Sequence, residues 1–500
     1  MMNEYLAGDY FRRFFNKIVK SNSGLDEKDI LEIDNKMKEN KLELHRLKVE
    51  TLNLKALKYF DQLKKEGKSS DEIIKFFSED KELLDRMFAF KEYQKDLRTK
   101  FFGYPANLNE DSAFVRFLRK KESELAVMNN CGDPYETGNY LMDSKEFEKD
   151  VLGLFYKKFG VDPQKGWGYV TTGGSESNAW AIKAGFRKYP NAKLYFSEAT
   201  HYSVEKTASN GKETIFPYSI IPQEGKFSEK IDKQKLLDEI RKNWDNGKGN
   251  PAVMVLTWGT TKFGAFDDIQ EITKELKKDN IPYYLHVDAA CHGGIPNNQK
   301  NAPVTPTLHE LNADSISVSF HKFFGIPTVN GVLITKDKAD GQEISYIGQR
   351  DTTIAGSRTF PAVSTLKRLK EILERSPEDL YSKNIEIFET ELEKSGVIYH
   401  KGKQSNMFVF PEPTESSQIC KKYQLSTFEG TEGTKMAHAI IFPFHSLESM
   451  RNLVNEIKMD QKKYALTFDK VKSKENTTKN GMKEQLLLGK RVFSKVFKFI

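Results

Sequence analysis

Between residues 101 and 345 short apolar runs recur with helical patterns set between several of them. The runs are Gly168-Tyr-Val-Thr, Lys193-Leu-Tyr-Phe, Ala252-Val-Met-Val-Leu, Tyr283-Tyr-Leu-His-Val, Ser315-Ile-Ser-Val-Ser and Gly331-Val-Leu-Ile-Thr. In the fifth, Ile316 and Val318 alternate with serines, the period of two that a strand requires. Helical spacing covers Ser177 to Tyr189 and Lys235 to Asn243. Strands alternating with helices predict an α/β fold, a mostly parallel sheet covered by helices. Sites on such sheets form at the carboxyl ends of the strands.

The flanks have other textures. Residues 1–100 are rich in Lys, Glu and Leu and poor in glycine. Leu31, Ile33, Met37, Leu44, Leu47, Leu54 and Phe60 mark helices with one apolar side, and Ser70-Asp-Glu reads as a further helix start. This segment is expected to be a helical N-terminal extension. Residues 346–465 read as a smaller C-terminal α+β domain with strands near Met407-Phe-Val-Phe and His438-Ala-Ile-Ile-Phe. Residues 466–500 are a basic amphipathic tail. Within it, 483–500 gather Val492, Phe493, Val496, Phe497 and Ile500 on one helical face opposite lysines. Such a face suits an anionic membrane surface, a partner groove or the protein's own body.

Composition narrows the class. With 38% hydrophobic and 30% charged residues in 500, the chain reads as a soluble globular protein. No run of about 18 apolar residues predicts a membrane span, and the first ten residues lack the pattern of a signal peptide. Cys131, Cys291 and Cys420 are too widely spaced for a disulfide framework or zinc knuckle, so a reducing, cytoplasmic setting is expected. The net charge of +7 suggests an acidic partner until it is located. From Asp469 onward nine Lys/Arg face three Asp/Glu, so six of the seven excess charges sit in the tail. The body is near neutral, and nucleic acid is not an expected partner. His286, His292, His309 and His321 show no metal-ligand spacing, so no metal is expected.

Candidate chemistry lies at the strand ends. Ser315 to Gly325 ends in His321-Lys322 among aromatic residues. A lysine in apolar surroundings is expected to have a lowered pKa and to become a nucleophile towards an aldehyde. Its commonest use is a Schiff base with pyridoxal phosphate. Tyr169-Val-Thr-Thr-Gly-Gly-Ser-Glu-Ser-Asn178 reads as strand, glycine turn and helix start. There Gly173, Gly174 and Ser175 could bring amides and a hydroxyl to an anion. His201 follows a strand and could stack on an aromatic ring. Thr260 and Thr261 cluster hydroxyls after another strand. Asp288 ends a buried one, where a carboxylate needs a cationic partner such as a protonated pyridine nitrogen, and Ala290 offers a small flat surface beside it.

Taken in order, these segments resemble the group II, fold-type I pyridoxal-phosphate-dependent amino-acid decarboxylases, most nearly their bacterial histidine decarboxylase branch. Plant-type serine decarboxylases are similar too. The likeness runs from about residue 100 to 460. It takes in Phe102-Gly-Tyr-Pro-Ala-Asn, Asn129-Asn-Cys-Gly-Asp-Pro, Trp167-Gly-Tyr-Val-Thr-Thr-Gly-Gly-Ser-Glu, Tyr195-Phe-Ser-Glu-Ala-Thr-His, Gly259-Thr-Thr-Lys-Phe-Gly, Tyr284-Leu-His-Val-Asp-Ala-Ala and Ile354-Ala-Gly-Ser-Arg358. The resemblance implies a seven-stranded, mostly parallel sheet in a pyridoxal-phosphate-binding large domain, residues 101–345. It implies that Lys322 carries the cofactor, Asp288 pairs with the ring nitrogen, His201 stacks on the ring and Ala290 backs it. Gly174, Ser175, Ser319 and His321 would hold the phosphate, with Thr260 and Thr261 near the ring oxygen. It further implies an obligate homodimer with shared sites, the partner supplying the segment around Gly356-Ser-Arg358.

This chain departs from the family pattern at Thr359-Phe-Pro361, at the Gly-Gly-Ser-Glu-Ser turn and at Cys291-His292. A loop tyrosine used elsewhere as a proton donor is absent between Gln349 and Ala355, although Tyr346 lies nearby. The cofactor set is intact. Histidine is the first choice of substrate, with serine or another amino acid as alternatives. A carbon–carbon lyase on the same fold and a non-enzymatic scaffold acting through its tail are the competing readings.

Overall fold

A computed structural model of the chain describes residues 96–475, apart from positions 110, 126, 212, 225–228, 415–416 and 430–434, together with Gly67, Phe90 and Gln94. Beyond residue 463 it describes the backbone alone. The helices expected over residues 31–60, the helix start at Ser70 and the amphipathic stretch at 483–500 lie outside the described residues. The chain divides into two compact units, Met1–Thr99 and Lys100–Ile500. Every described strand belongs to the second.

Seven strands form the main sheet: β1 (Trp167–Thr171), β2 (Lys193–Ser197), β3 (Tyr218–Ile221), β4 (Ala252–Thr257), β5 (Tyr283–Asp288), β6 (Ser315–Ser319) and β7 (Gly331–Thr335). Their order is β1-β7-β6-β5-β4-β2-β3. Strands β2 to β6 pair in parallel, while β7 runs antiparallel to both β6 and β1. Two reversals restore direction, so β1 points the same way as β6. The carboxyl ends of β1, β2, β4, β5 and β6 therefore share one edge of the sheet. The six strands expected from the apolar runs are present. Only β3 was not anticipated, a four-residue edge strand with half-exposed residues that lacks a long apolar run.

Every residue of β1, β4, β6 and β7 is buried, because helices cover both sheet faces. Helices α1 (Ala113–Glu122), α2 (Lys145–Phe159), α3 (Gly174–Lys188), α4 (Ser203–Ala208), α5 (Lys233–Trp244) and α6 (Ile269–Lys278) accompany the sheet. Alternation decides which core each strand residue enters. In β4, Val253 and Val255 join Trp180 of α3 and Val204 of α4 on one face. Met254 and Leu256 join Phe155 of α2, Leu236 of α5 and Ile272 of α6 on the other. The continuous apolar run in the sequence is thus two interleaved period-two patterns.

The remainder adds a β8–β9 hairpin (Gln342–Ile344, Gln349–Asp351) and a four-stranded antiparallel sheet. That sheet comprises β10 (His400–Lys401), β11 (Met407–Pro411), β12 (Ser426–Glu429) and β13 (Lys435–Ile440). Helices α7 (Ala362–Arg375), α8 (Ser382–Ser395) and α9 (Leu447–Glu475) complete it. Phe155, Phe324, Leu366 of α7, Phe388 of α8 and Phe408 of β11 share one hydrophobic core. Packing is therefore continuous across the boundary expected at 345/346.

Three histidines sit deep in this framework. Burial pushes His286, His292 and His445 down to about 4, so each is neutral in the folded chain. Their unfolded pKa is near 6.5, so the unfolded chain takes up protons first as pH falls. Their contribution is complete above about 6.5 and is lost towards about 4, on the order of 3 kcal/mol each. Asp267, pushed up to about 6 by burial, works the other way over part of that window. Urea midpoints measured from pH 7 to pH 4.5 should fall steadily. A flat profile would contradict the assignment of all three as neutral.

Candidate active site

Residues from four strand ends meet along the shared edge. Asp288 is the last residue of β5 and is only 5% exposed. Its Oδ1 accepts from the Ala290 amide at 3.1 Å and its Oδ2 from Asn178 Nδ2 at 2.9 Å. Lys322 follows β6, and its Nζ lies 3.4 Å from Cys291 Sγ. His201 follows β2, with Nδ1 2.9 Å from Ser203 Oγ and 3.3 Å from the Ser203 amide. Burial lowers the His201 pKa, Asp288 opposes that shift and Lys322 reinforces it, so the imidazole is held neutral between opposite charges.

The turn after β1 shapes the rest. Gly173 adopts φ +134° and ψ 175°, a conformation open in practice only to glycine. It lets α3 start at Gly174 directly against the ends of β5 and β6. A Cβ at Gly174 would stand 3.2 Å from Ser319 Oγ and 3.5 Å from Ala290 Cβ. No side chain caps α3, so its first amides are available to an anion. Ser175 is exposed beside them. Burial pushes His321 down to about 4, Lys322 adding to the effect, and its buried Nδ1 has no hydrogen-bond partner among the described residues.

These groups fit pyridoxal phosphate. An uncapped helix end and an orphaned imidazole nitrogen suit a phosphate. A buried carboxylate suits a protonated ring nitrogen, and Ala290, 8% exposed, leaves room for a flat ring. The described segment Phe102–Asn107 closes over the lysine. The Asn107 amide donates to Lys322 O at 2.9 Å, its Nδ2 donates to Phe323 O at 2.8 Å, and the Tyr104 ring stacks on His321 at 6.4 Å.

Two expectations need correction, for Lys322 and Arg358, and Thr260 has partners that its sequence did not suggest. Lys322 was expected to have a lowered pKa from apolar surroundings. Burial does act that way, but Cys291 and Asp288, with a smaller effect of Tyr104, outweigh it and the pKa is raised. Flanking Phe320, Phe323 and Phe324 belong to the hydrophobic core. Thr260 was expected near the cofactor's ring oxygen. Its hydroxyl donates to Glu229 at 2.6 Å and accepts from the Ala265 amide at 2.9 Å, so its own proton is already committed, while Thr261 is exposed. The segment around Gly356-Ser-Arg358 was expected to be supplied to the site by the partner subunit, and Arg358 does not fit that part. It is buried in its own chain, paired with Glu148 and donating to Gly132 O at 3.1 Å; Gly356 and Ser357 remain exposed.

Residues not singled out from the sequence also belong to the site. Asn178 and Ser203 link Asp288 to His201. Asn178 lies one turn into α3 after the glycine turn, and that spacing was the available signal. Glu229 gave none, since its partner Thr260 is 31 residues away.

Comparison with known proteins accords with this arrangement. Residues 162–360 match the pyridoxal-dependent decarboxylase conserved domain. Histidine decarboxylase of Vibrio campbellii is 33% identical over 372 residues, covering 72% of this chain and 90% of that protein. Serine decarboxylase 2 of Oryza sativa is 31% identical, covering 71% and 73%. Among solved structures, L-methionine decarboxylase from Streptomyces sp. 590 has TM-score 0.60 at 20% identity, covering 76% of this chain and 95% of its own. Lactobacillus brevis glutamate decarboxylase has TM-score 0.61 at 13% identity, covering 75% and 91%. With a seven-stranded α/β sheet, a site at its carboxyl edge and relatives at this identity and coverage, the chain belongs to the pyridoxal-phosphate-dependent amino-acid decarboxylases.

Proposed function

We propose that the chain converts L-histidine to histamine and carbon dioxide, as a cytoplasmic homodimer. One observation carries the site assignment, the convergence of Lys322, Asp288 and a neutral His201 at one sheet edge. The similarity to histidine decarboxylases favours the substrate. When bound, pyridoxal phosphate supplies an electron sink for the pair left as the carboxylate departs. Lys322 would carry the cofactor through Nζ. Asp288 would keep a proton on the ring nitrogen, His201 would lie over one face and Ala290 against the other. The amides of Gly174 and Ser175, with Ser319 and His321, would hold the phosphate beyond the Gly173 turn. The chain's task is then largely positional, setting the Cα–carboxylate bond perpendicular to the ring.

The homodimer is supported by exposed apolar residues beside the site. Tyr202, adjacent to His201, is 70% exposed. Val329 is also exposed, with its Cγ1 3.6 Å from where a Cβ on Gly173 would stand. Such a rim suits a second copy, towards which the exposed Gly356 and Ser357 would project. For location, the described cysteines are all free, and no described helix is long and apolar enough to cross a membrane.

The likeness to a plant serine decarboxylase favours serine as a second substrate reading. Purified protein loaded with pyridoxal phosphate should release carbon dioxide from histidine and form histamine in equal amount. Release from serine with none from histidine would replace the substrate. Bound cofactor with no release from any of the twenty amino acids would overturn decarboxylation. A fully active monomer by light scattering would overturn the shared-site dimer.

A further inference from the structure

We infer that Asn178 is a positioning residue that fixes Asp288 and His201 together, as the branch point of a directed hydrogen-bond chain starting at Tyr284. The inference concerns the same site and rests on the cofactor reading above.

The direction of each bond follows from a single constraint. A carboxylate only accepts, so the Asn178 amide must present Nδ2 to Asp288 Oδ2, at 2.9 Å. Its Oδ1 then faces His286 Nε2 at 3.0 Å and requires a proton there. Ser317 Oγ, 3.3 Å from the same nitrogen, can share that proton. Because His286 is neutral, its Nδ1 is a lone pair and accepts from Ser315 Oγ at 2.8 Å. Ser315 Oγ in turn accepts from the Tyr284 hydroxyl at 3.1 Å. From Tyr284 through Ser315, His286 and Asn178, every donor points towards Asp288.

The second Asn178 proton goes to Ser203 Oγ at 3.1 Å. That hydroxyl is left to donate to His201 Nδ1, which also receives the Ser203 amide. The neutral His201 ring therefore carries its proton on Nε2. Tyr284, Ser315, His286, Asn178 and Ser203 are all at least nine-tenths buried, so water does not substitute for any link. One amide thus sets the carboxylate for the ring nitrogen and turns the Ser203 hydroxyl towards His201 Nδ1, which the Ser203 amide already holds as an acceptor. Bonds in such a chain polarise one another, so the effect of a deletion should fade with distance from Asp288.

Nitrogen NMR of the cofactor-free full chain labelled at histidine tests the geometry first. Both His201 and His286 should carry the proton on Nε2. A proton on Nδ1 of His286 would reverse the chain and overturn the inference. Asn178→Asp keeps an acceptor for His286 and removes both amide protons; two carboxyls at 2.9 Å share one proton, so Asp288 loses its fixed charge and Ser203 loses its donor. The substitution should weaken pyridoxal phosphate binding about ten- to hundred-fold and shift the His201 Nδ1 resonance as the Ser203 hydroxyl is released, with the His201 proton kept on Nε2 by the Ser203 amide. Tyr284→Phe, at the far end, should weaken binding less than about threefold. Unchanged binding and an unchanged His201 in Asn178→Asp would overturn the proposal, as would a larger effect at Tyr284. If Asn178→Asp does not fold, Ser203→Ala decides the branch, and an unaltered His201 Nδ1 resonance there would overturn it. Wild-type protein that shows the predicted tautomers yet does not bind pyridoxal phosphate would overturn the cofactor reading alone.

Discussion

Lys322→Ala should lower carbon dioxide release by roughly 10⁴-fold or more, because the side chain offers both the attachment point and the nearest basic group. The residue stands at the carboxyl edge of β6 with Nζ against Cys291 and within the field of Asp288. Arginine should not rescue it, since a guanidinium stays protonated and cannot act as the nucleophile. The absorbance of attached cofactor should vanish with the activity, while the thermal midpoint changes little. Activity within tenfold of wild type would remove Lys322 from the chemistry.

Arg358→Ala should destabilise the fold by about 3–5 kcal/mol, the cost of leaving a buried charge without its partner. Glu148 is fully buried, accepts from Asn130 Nδ2 at 2.7 Å and the Val170 amide at 2.8 Å, and has Arg358 as its ion-pair partner. Arg358 also donates to Gly132 O and lies over the Tyr169 ring at 5.3 Å. Replacing both charges with apolar residues of similar size should recover most of the loss. A change under about 1 kcal/mol in denaturant titration would show that water or another cation replaces Arg358. The pair also roots the exposed Gly356-Ser357 segment, so its loss should loosen that segment wherever it projects.

The main sheet was legible because its strands are short, apolar and bounded by turns. Strand β3 was not, since an edge strand with half-exposed residues lacks that contrast. Lys322, Asp288 and His201 could be picked out because each follows an apolar run that fixes where the strand ends. What a strand end faces is another matter. The rise in the Lys322 pKa depends on Cys291 and Asp288, more than 30 residues away in sequence, and its aromatic neighbours suggest the opposite. Thr260 looked available because its partner Glu229 lies in a distant turn. Arg358 and Glu148 are separated by 210 residues, and no local pattern connects them. Asn178 reads as an ordinary polar helix residue until the fold brings β5 beneath it. Local patterns reveal which side chains are placed together, while their charge states follow from contacts made across the sequence.

The antiparallel insertion of β7 between β1 and β6 also constrains the order of assembly. Strand β1 joins the sheet only through β7, and Thr335 bonds to Trp167 across a separation of 168 residues. Such long-range closure is expected to be slow, since its loop-closure entropy is lost before the pairing rewards it. The Gly173 turn leaves the ribosome early, yet β1, which leads into it, is held to the sheet only through β7. A nascent or truncated chain lacking β7 would therefore leave β1 unpaired and the anion cradle anchored from one side alone. Cofactor capture thus becomes a checkpoint on completion of the sheet, and added pyridoxal phosphate should favour the fully assembled chain over any partly folded form.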